Sequence, residues 1–194
     1  IRSLKPDLII ANKEENIKEQ VEVLAGDFPV WISDVFDLKS ALDMIQQVGK
    51  ITSRVNESVK MSQDIQKGFK NLAQVSLPMV RTLYLIWREP YMSVGGDTFI
   101  NNMLHYAGFD NTLKNESRYP MITTTELAET NSELILLSSE PYPFSQKNVH
   151  EIEELFNNRP GAPKIRLVDG AIFSWYGSRL LQAPSYFMHL RNSM

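Results

Sequence analysis

Leu134-Ile135-Leu136-Leu137-Ser138-Ser139-Glu140-Pro141-Tyr142-Pro143-Phe144-Ser145 is the stretch from which the fold of this chain can be read. Four large aliphatic residues in a row mark a strand buried on both faces, as a parallel sheet requires. They run into a loop of aromatic and proline residues, and Ser145 then caps a helix whose inner face is Val149, Ile152, Leu155 and Phe156. Pro160-Gly161-Ala162-Pro163 breaks that helix, and Ile165 to Val168 supplies the next strand. Strand, loop, capped helix and strand together make a β/α/β unit.

The same pattern extends upstream. Val80 to Trp87 reads as a buried strand, and Gly95-Gly96-Asp97 turns into a helix with Ile100, Met103, Leu104 and Ala107 on one side. Gly108 suits the left-handed position after it. Thr123 and Glu126 have capping-box spacing and open a short helix. Nearer the N-terminus, Leu8 to Ala11 is a strand, followed by a helix with Ile17, Val21 and Leu24 at helical spacing. Phe28 to Ile32 is a second strand, and Asp37 caps a helix with Leu38, Leu42, Ile45 and Val48 on one face, which Gly49 stops. Thr52 caps a longer helix with the stripe Val55, Val59, Ile65, Phe69 and Leu72. At about 1.5 Å per residue it would reach roughly 33 Å, enough for a strut between two lobes. At the other end of the chain, a C-terminal helix begins near Gly177. This alternation predicts an α/β fold with mainly parallel sheets, right-handed crossovers and a ligand received at the C-terminal strand edges.

Composition narrows the function. The 194 residues are 43% hydrophobic and 22% charged, as in folded domains, and the net charge of -3 provides no basic field for nucleic acid. Cysteine is absent, which removes disulfides, thiolate metal sites and cysteine nucleophiles together. No apolar run approaches the ~20 residues that span a bilayer. Ile1-Arg2-Ser3-Leu4-Lys5-Pro6-Asp7 reads like the middle of a domain rather than an export signal, so a mature product or a fragment is expected.

Three loops leave the C-terminal strands: Trp87-Arg88-Glu89-Pro90-Tyr91-Met92, Ser138 to Phe144, and Phe173-Ser174-Trp175-Tyr176-Gly177-Ser178-Arg179. All are aromatic, and two carry Glu-Pro-Tyr. Solvated loops favour Gly, Asn, Asp and Ser, so converging rings suit a flat, partly apolar ligand. The expected ligand-binding residues here are Trp87, Arg88, Tyr91, Glu140, Tyr142, Phe144, Phe173, Trp175, Tyr176 and Arg179, the lesser alternative being that Trp87 and Phe173 finish the core. Arg179 could grip a carboxylate, phosphate or amide edge, or pair with Asp169 or Glu140. Arg88 and Glu89 could pair with each other. His105, His150 and His189 form no close pair, so no metal site is encoded by spacing. Neither a phosphate-binding glycine loop nor a Gly-x-Ser-x-Gly elbow is present, and no catalytic residue is assigned.

The tracts Lys5 to Ala11, Val94-Gly95-Gly96-Asp97-Thr98-Phe99-Ile100-Asn101, Ser138 to Phe144 and Trp175 to Arg179 resemble the helical-backbone metal receptors, the superfamily of vitamin B12 and siderophore binding proteins, and most of all their cobalamin-binding branch. The resemblance runs from Ile1 to about Pro184. It implies two Rossmann-like lobes joined by a long rigid helix, the class III periplasmic binding protein fold: residues 1–52 the remaining part of an N-terminal lobe, 53–75 the connecting helix and 76–194 the C-terminal lobe. It also implies that β/α units normally preceding the Lys-Pro-Asp strand are missing, leaving an incomplete N-lobe whose exposed sheet edges would invite a homodimer. The ligand would be a cobalamin-like corrinoid, haem or a ferric siderophore. The partner would be the permease of an ABC importer, and the location periplasmic or lipid-anchored outside the cytoplasm. Asn12 stands where a B12-binding relative has a stacking Trp, with Trp31 the residue that could compensate. Asp97 is the implied permease contact of one lobe. On the other lobe Lys18 replaces the family's Glu, so Glu15 or Glu19 would substitute. Outside this class stand a chelatase-like tetrapyrrole enzyme, which would need His105 in the cleft beside Glu89 or Glu140, and a truncated interaction domain that binds nothing.

Overall fold

The computed structural model describes residues 1–75, 78–156 and 159–194. After a 3-10 turn at Arg2–Leu4, the order is β1 (Ile9–Asn12), α1 (Lys18–Ala25), β2 (Val30–Ser33), α2 (Leu38–Ile51), α3 (Val55–Ala73), β3 (Val80–Leu85), β4 (Tyr91–Met92), α4 (Phe99–Tyr106), β5 (Phe109–Asn111), β6 (Met121–Ile122), α5 (Thr124–Ala128), β7 (Leu134–Ser138), α6 (Gln146–Leu155), β8 (Lys164–Val168) and α7 (Gly170–Ser174); a 3-10 turn at Ser178–Leu181 then leads to α8 (Ala183–Asn192). β1 and β2 pair in parallel as a sheet of their own. The larger sheet has the order β5-β3-β7-β8 and is parallel throughout. β4 and β6 form a short antiparallel ribbon beside it.

The larger sheet is central because both of its faces are covered. Side chains alternate across a strand. Leu83, Leu85, Ile135 and Leu137 therefore meet Val149 and Ile152 of α6 on one side. Tyr84, Leu134 and Leu136 meet Phe69, Met103, Phe173 and Phe187 of α3, α4, α7 and α8 on the other. All five residues of β7 are buried. The helix ends follow the sequence: Asp37 with Ser40, Thr123 with Glu126, and Ser145 with Asn148 each form a reciprocal capping box.

The helix pair α2 and α3 differs from expectation in three ways. Gly49 does not stop α2; it lies inside the helix, buried, where a Cβ would stand 2.0 Å from Ser58 Oγ. Its role is to let α3 approach, a tertiary demand that outweighs glycine's local tendency to end helices. Thr52 is the C-cap of α2 rather than the N-cap of α3, which is Arg54. The inner face of α3 is Ser58, Ser62, Ile65, Phe69 and Leu72, while Val55 and Val59 face outward, because a close crossing selects small residues over large ones. Near α3, the expected start of the C-terminal lobe at Ser76 lies outside the described residues. The C-terminal helix also starts later than Gly177: the 3-10 turn intervenes, and α8 opens with Pro184 in its first turn.

Around β1 and β2 the packing is thinner. α1 buries no side chain, and Ile10, Ile17, Val23 and Ile32 are exposed. The expected inner face of α1, Val21 and Leu24, is only half-buried. α2 is the exception, since Leu38, Ala41 and Ile45 join the core that the C-terminal helices build. Together α2 and α3 carry the chain from the small sheet to the core beside the large one.

Candidate functional site

The three aromatic loops are bonded to one another. Tyr142 N donates to Ile86 O at 3.2 Å, and Gly170 N donates to Ser139 Oγ at 3.0 Å. Tyr142 lies edge-on to Trp87 at 5.9 Å and to Phe144 at 4.7 Å. Glu140 Oε1 accepts from Ser174 Oγ at 2.8 Å and from the indole Nε1 of the exposed Trp175 at 2.5 Å. Both Glu-Pro bonds, Glu89-Pro90 and Glu140-Pro141, are cis.

These rings do not all face one gap. Tyr91, Tyr142 and Phe144 pack on the α6 side of the sheet, whereas Phe173 and Tyr176 pack on the α3 and α8 side. Phe173 is a correction: α7 carries it fully into the core against Tyr84 and Phe187, out of reach of a cleft ligand. Phe144 is likewise buried, under α6. Arg88 is committed to Glu89 at 2.6 Å and to Glu151 of α6 at 2.5 Å, and these partners raise its pKa, first through the Glu151 hydrogen bond. The Tyr91 phenol beside it is also raised, chiefly by burial. Arg179 is exposed, and the acids that could pair with it are engaged elsewhere: Asp169 caps α7, and Glu140 holds Ser174 and Trp175.

Contact between the lobes is made by two of the expected residues, Asn12 and Tyr176, and by three others, Glu14, Arg118 and Tyr119. Asn12, at the C-terminal end of β1, bonds Tyr176 Oη through its side-chain amide, and its Oδ1 accepts from the backbone N–H groups of Glu14 and Glu15. Tyr176 lies edge-on to Phe99 at 5.4 Å. Trp31 is half-buried on β2 and shares a sheet face with Asn12. Next to Asn12, Glu14 receives both Nη groups of Arg118, at 2.8 and 2.9 Å, and the hydroxyl of Tyr119 at 2.8 Å. The Glu14 hydrogen bond raises the Arg118 pKa; burial, then Glu14, raises that of Tyr119.

The Gly95-Gly96-Asp97 turn sets the position of Arg118. Gly95 N and Gly96 N donate to Arg118 O and Glu116 O at 2.7 and 2.9 Å, so the two backbones run in contact. A Cβ on Gly95 would fall 2.4 Å from Glu116 O, and one on Gly96 2.0 Å from Lys114 O. Asp97 Oδ1 accepts from Arg118 N at 2.6 Å and holds that residue at φ 58. Asp97 is thus exposed but partly occupied; Glu15 and Glu19 are exposed as well.

Glu14, Arg118 and Tyr119 are absent from the residues that sequence reasoning selects. Arg118-Tyr119-Pro120 does share the aromatic-proline character of the selected loops, and that signal could have found it. A groove of about 1030 Å³ between α2 and α3, lined by Leu42, Gln46, Val59, Ser62 and Gln66, carries none of the expected ligand-binding or permease-docking residues. Among the described residues no group of three or more His, Asp or Glu side chains could hold a metal ion, and no helix is long and apolar enough to cross a membrane.

The sequence profile of a family described as periplasmic binding protein matches residues 1–166. Solved structures with the same fold include a periplasmic heme binding protein from Pseudomonas aeruginosa, 17% identical with TM-score 0.76, covering 99% of this chain and 73% of that one. The periplasmic vitamin B12 binding protein of Vibrio cholerae is 16% identical with TM-score 0.72, at 100% and 78% coverage. An ABC-type Fe3+-hydroxamate transport system protein from Saccharomonospora viridis is 14% identical with TM-score 0.72, at 100% and 71% coverage. Identities this low establish the fold and leave the ligand open. Among curated proteins, none matches the chain.

Proposed function

The chain belongs to the periplasmic binding protein family, and on that premise we propose that it is the extracytoplasmic solute-binding component of an ABC importer, which captures a metal chelate between its lobes and delivers it to the permease. The observation that carries this reading is the meeting of two separate parallel sheets through the loops at the C-terminal ends of their strands. Asn12 and Glu14 come from one side, and Arg118, Tyr119 and Tyr176 from the other. Such strand ends are where open α/β sheets receive ligands. The 19 residues of α3 span roughly 28 Å and pack against both α2 and α8, so lobe movement is limited and the site is largely preformed.

A corrinoid, haem or ferric siderophore fits this reading, since the fold is shared with receptors named for those three ligand classes. Trp175, held by Glu140, is the exposed ring best placed to cover a flat ligand, with Trp87, Tyr142, Tyr176 and Trp31 as further candidates and Arg179 as an exposed cation for a polar rim. Asp97, Glu15 and Glu19 are the candidate permease contacts. A chelatase reading has less support: His105 is exposed on α4, and neither Glu89 nor Glu140 is bonded to it. The test is titration with cyanocobalamin, dicyanocobinamide, haemin and ferrioxamine, followed by the fluorescence of Trp31, Trp87 and Trp175. Saturable quenching by one chelate is expected. No saturable response to any of the four, or turnover of a tetrapyrrole, would overturn the proposal.

A further inference from the structure

The ion pair between the lobes has the form of a ligand contact. Three donors converge on the Glu14 carboxylate: both Nη groups of Arg118 and the Tyr119 hydroxyl, all within 2.9 Å. A planar guanidinium fork with a phenol beside it is a strong and selective receptor for a carboxylate, whichever molecule supplies it. Here the carboxylate comes from the chain itself, from a residue 104 positions away on the opposite lobe. Only 16% of the Glu14 side chain is exposed, against 49% for Arg118, so the acid is the enclosed partner and the cation its cover. The main chain of the Arg118 loop is held in place by the Gly95 and Gly96 amides and by Asp97, so the fork is presented toward Glu14 from a fixed base.

We propose that Glu14 is a specificity-determining residue: it fills the Arg118–Tyr119 carboxylate receptor from within, so that the cleft favours chelates whose rim is uncharged over those that carry free carboxylates. This inference rests on the receptor reading above. An anionic chelate seeking Arg118 must displace Glu14 and leave that carboxylate beside its own negative charge. A chelate with amides at its rim meets a neutralised pair, which costs it nothing in repulsion and still offers hydrogen-bonding edges.

The experiment compares dissociation constants for dicyanocobinamide, whose rim is amide, and haemin, which carries two propionates, in the wild-type chain, E14Q, R118Q and the double variant E14Q/R118Q. The wild-type chain is expected to bind dicyanocobinamide more tightly. In E14Q the fork is freed while the side-chain shape is kept, and the preference should shift toward haemin by roughly tenfold. In the double variant that shift should disappear, because no cation remains to be unmasked. Equal changes for both chelates in E14Q would mean that the pair only fastens the lobes, and would overturn the inference. So would a wild-type preference for haemin, or a haemin gain that survives in the double variant. If neither chelate binds while ferrioxamine does, the inference fails and the receptor reading stands; if none binds, both fail. Circular dichroism melting of each variant identifies any that does not fold, and E14A, which also leaves the Arg118 fork in place, then replaces E14Q.

Discussion

The two lobes use the same strand and helix pattern and end up with different packing. In the C-terminal lobe helices cover both faces of a four-stranded sheet, and β7 is buried from end to end. In the N-terminal lobe two strands and α1 leave Ile10, Ile17, Val23 and Ile32 at the surface. Hydrophobic patterning therefore decides which elements form, while burial depends on how many layers surround them. Stability should be concentrated in the larger lobe, leaving the smaller one to fluctuate on a foundation provided by α2 and α3.

The sharpest way to break that contrast is to truncate one apolar side chain in each lobe. Phe173→Ala, in the fully packed core, should cost about 3–5 kcal/mol, whereas Ile32→Ala on the open sheet should cost under about 0.5 kcal/mol. Denaturant unfolding measures both, and similar losses would remove the distinction. At the junction of the lobes, Gly49→Ala drives a methyl into Ser58 and should cost about 1–3 kcal/mol, partly recovered when Ser58→Gly is added.

Alkali should separate the lobes further. All seven tyrosines lie beyond residue 80, and burial raises the Tyr84 phenol well above its usual 10.0. A raised folded-state value means that the stabilisation is complete below about pH 10 and is lost as the pH climbs, by about 1.4 kcal/mol per unit for one such group. Circular dichroism and phenolate absorbance between about pH 9 and 12 should register unfolding of the larger lobe, the smaller one responding where Tyr119 and Tyr176 reach its Glu14 and Asn12. The smallest effects concern helix ends. Thr123→Ala removes half of a capping box and should cost about 1 kcal/mol, whereas Ile17→Ser gives α1 the cap it lacks and should gain about 0.5 kcal/mol, both read from thermal melts.

Sequence patterning captured most of the larger lobe. β3, β7, β8 and the helices α4 and α6 follow from apolar runs and caps, because those signals are local. Close approaches were not legible in the same way: Gly49 looks like a helix stop and Val59 like a core residue until the crossing of α2 and α3 is known. α7 was missed, and with it the burial of Phe173, since five residues after an Asp cap look like loop. The candidate site was partly legible. Glu140 and Trp175 were selected as neighbours in function and do share a hydrogen bond, and Asn12 meets Tyr176. Glu14 and Arg118 were not selected, because a pairing across 104 residues is set by the docking of the lobes and leaves no periodic trace.

Arg118 stands in a left-handed backbone conformation where glycine would be at ease and an arginine is disfavoured by roughly 1–2 kcal/mol. Arg118→Gly would relax the main chain there and at the same time erase the guanidinium that spans to Glu14. The backbone gain is set against a Glu14 carboxylate left with the Tyr119 hydroxyl and without its cation, so the strained conformation is what keeps the two lobes joined by charge.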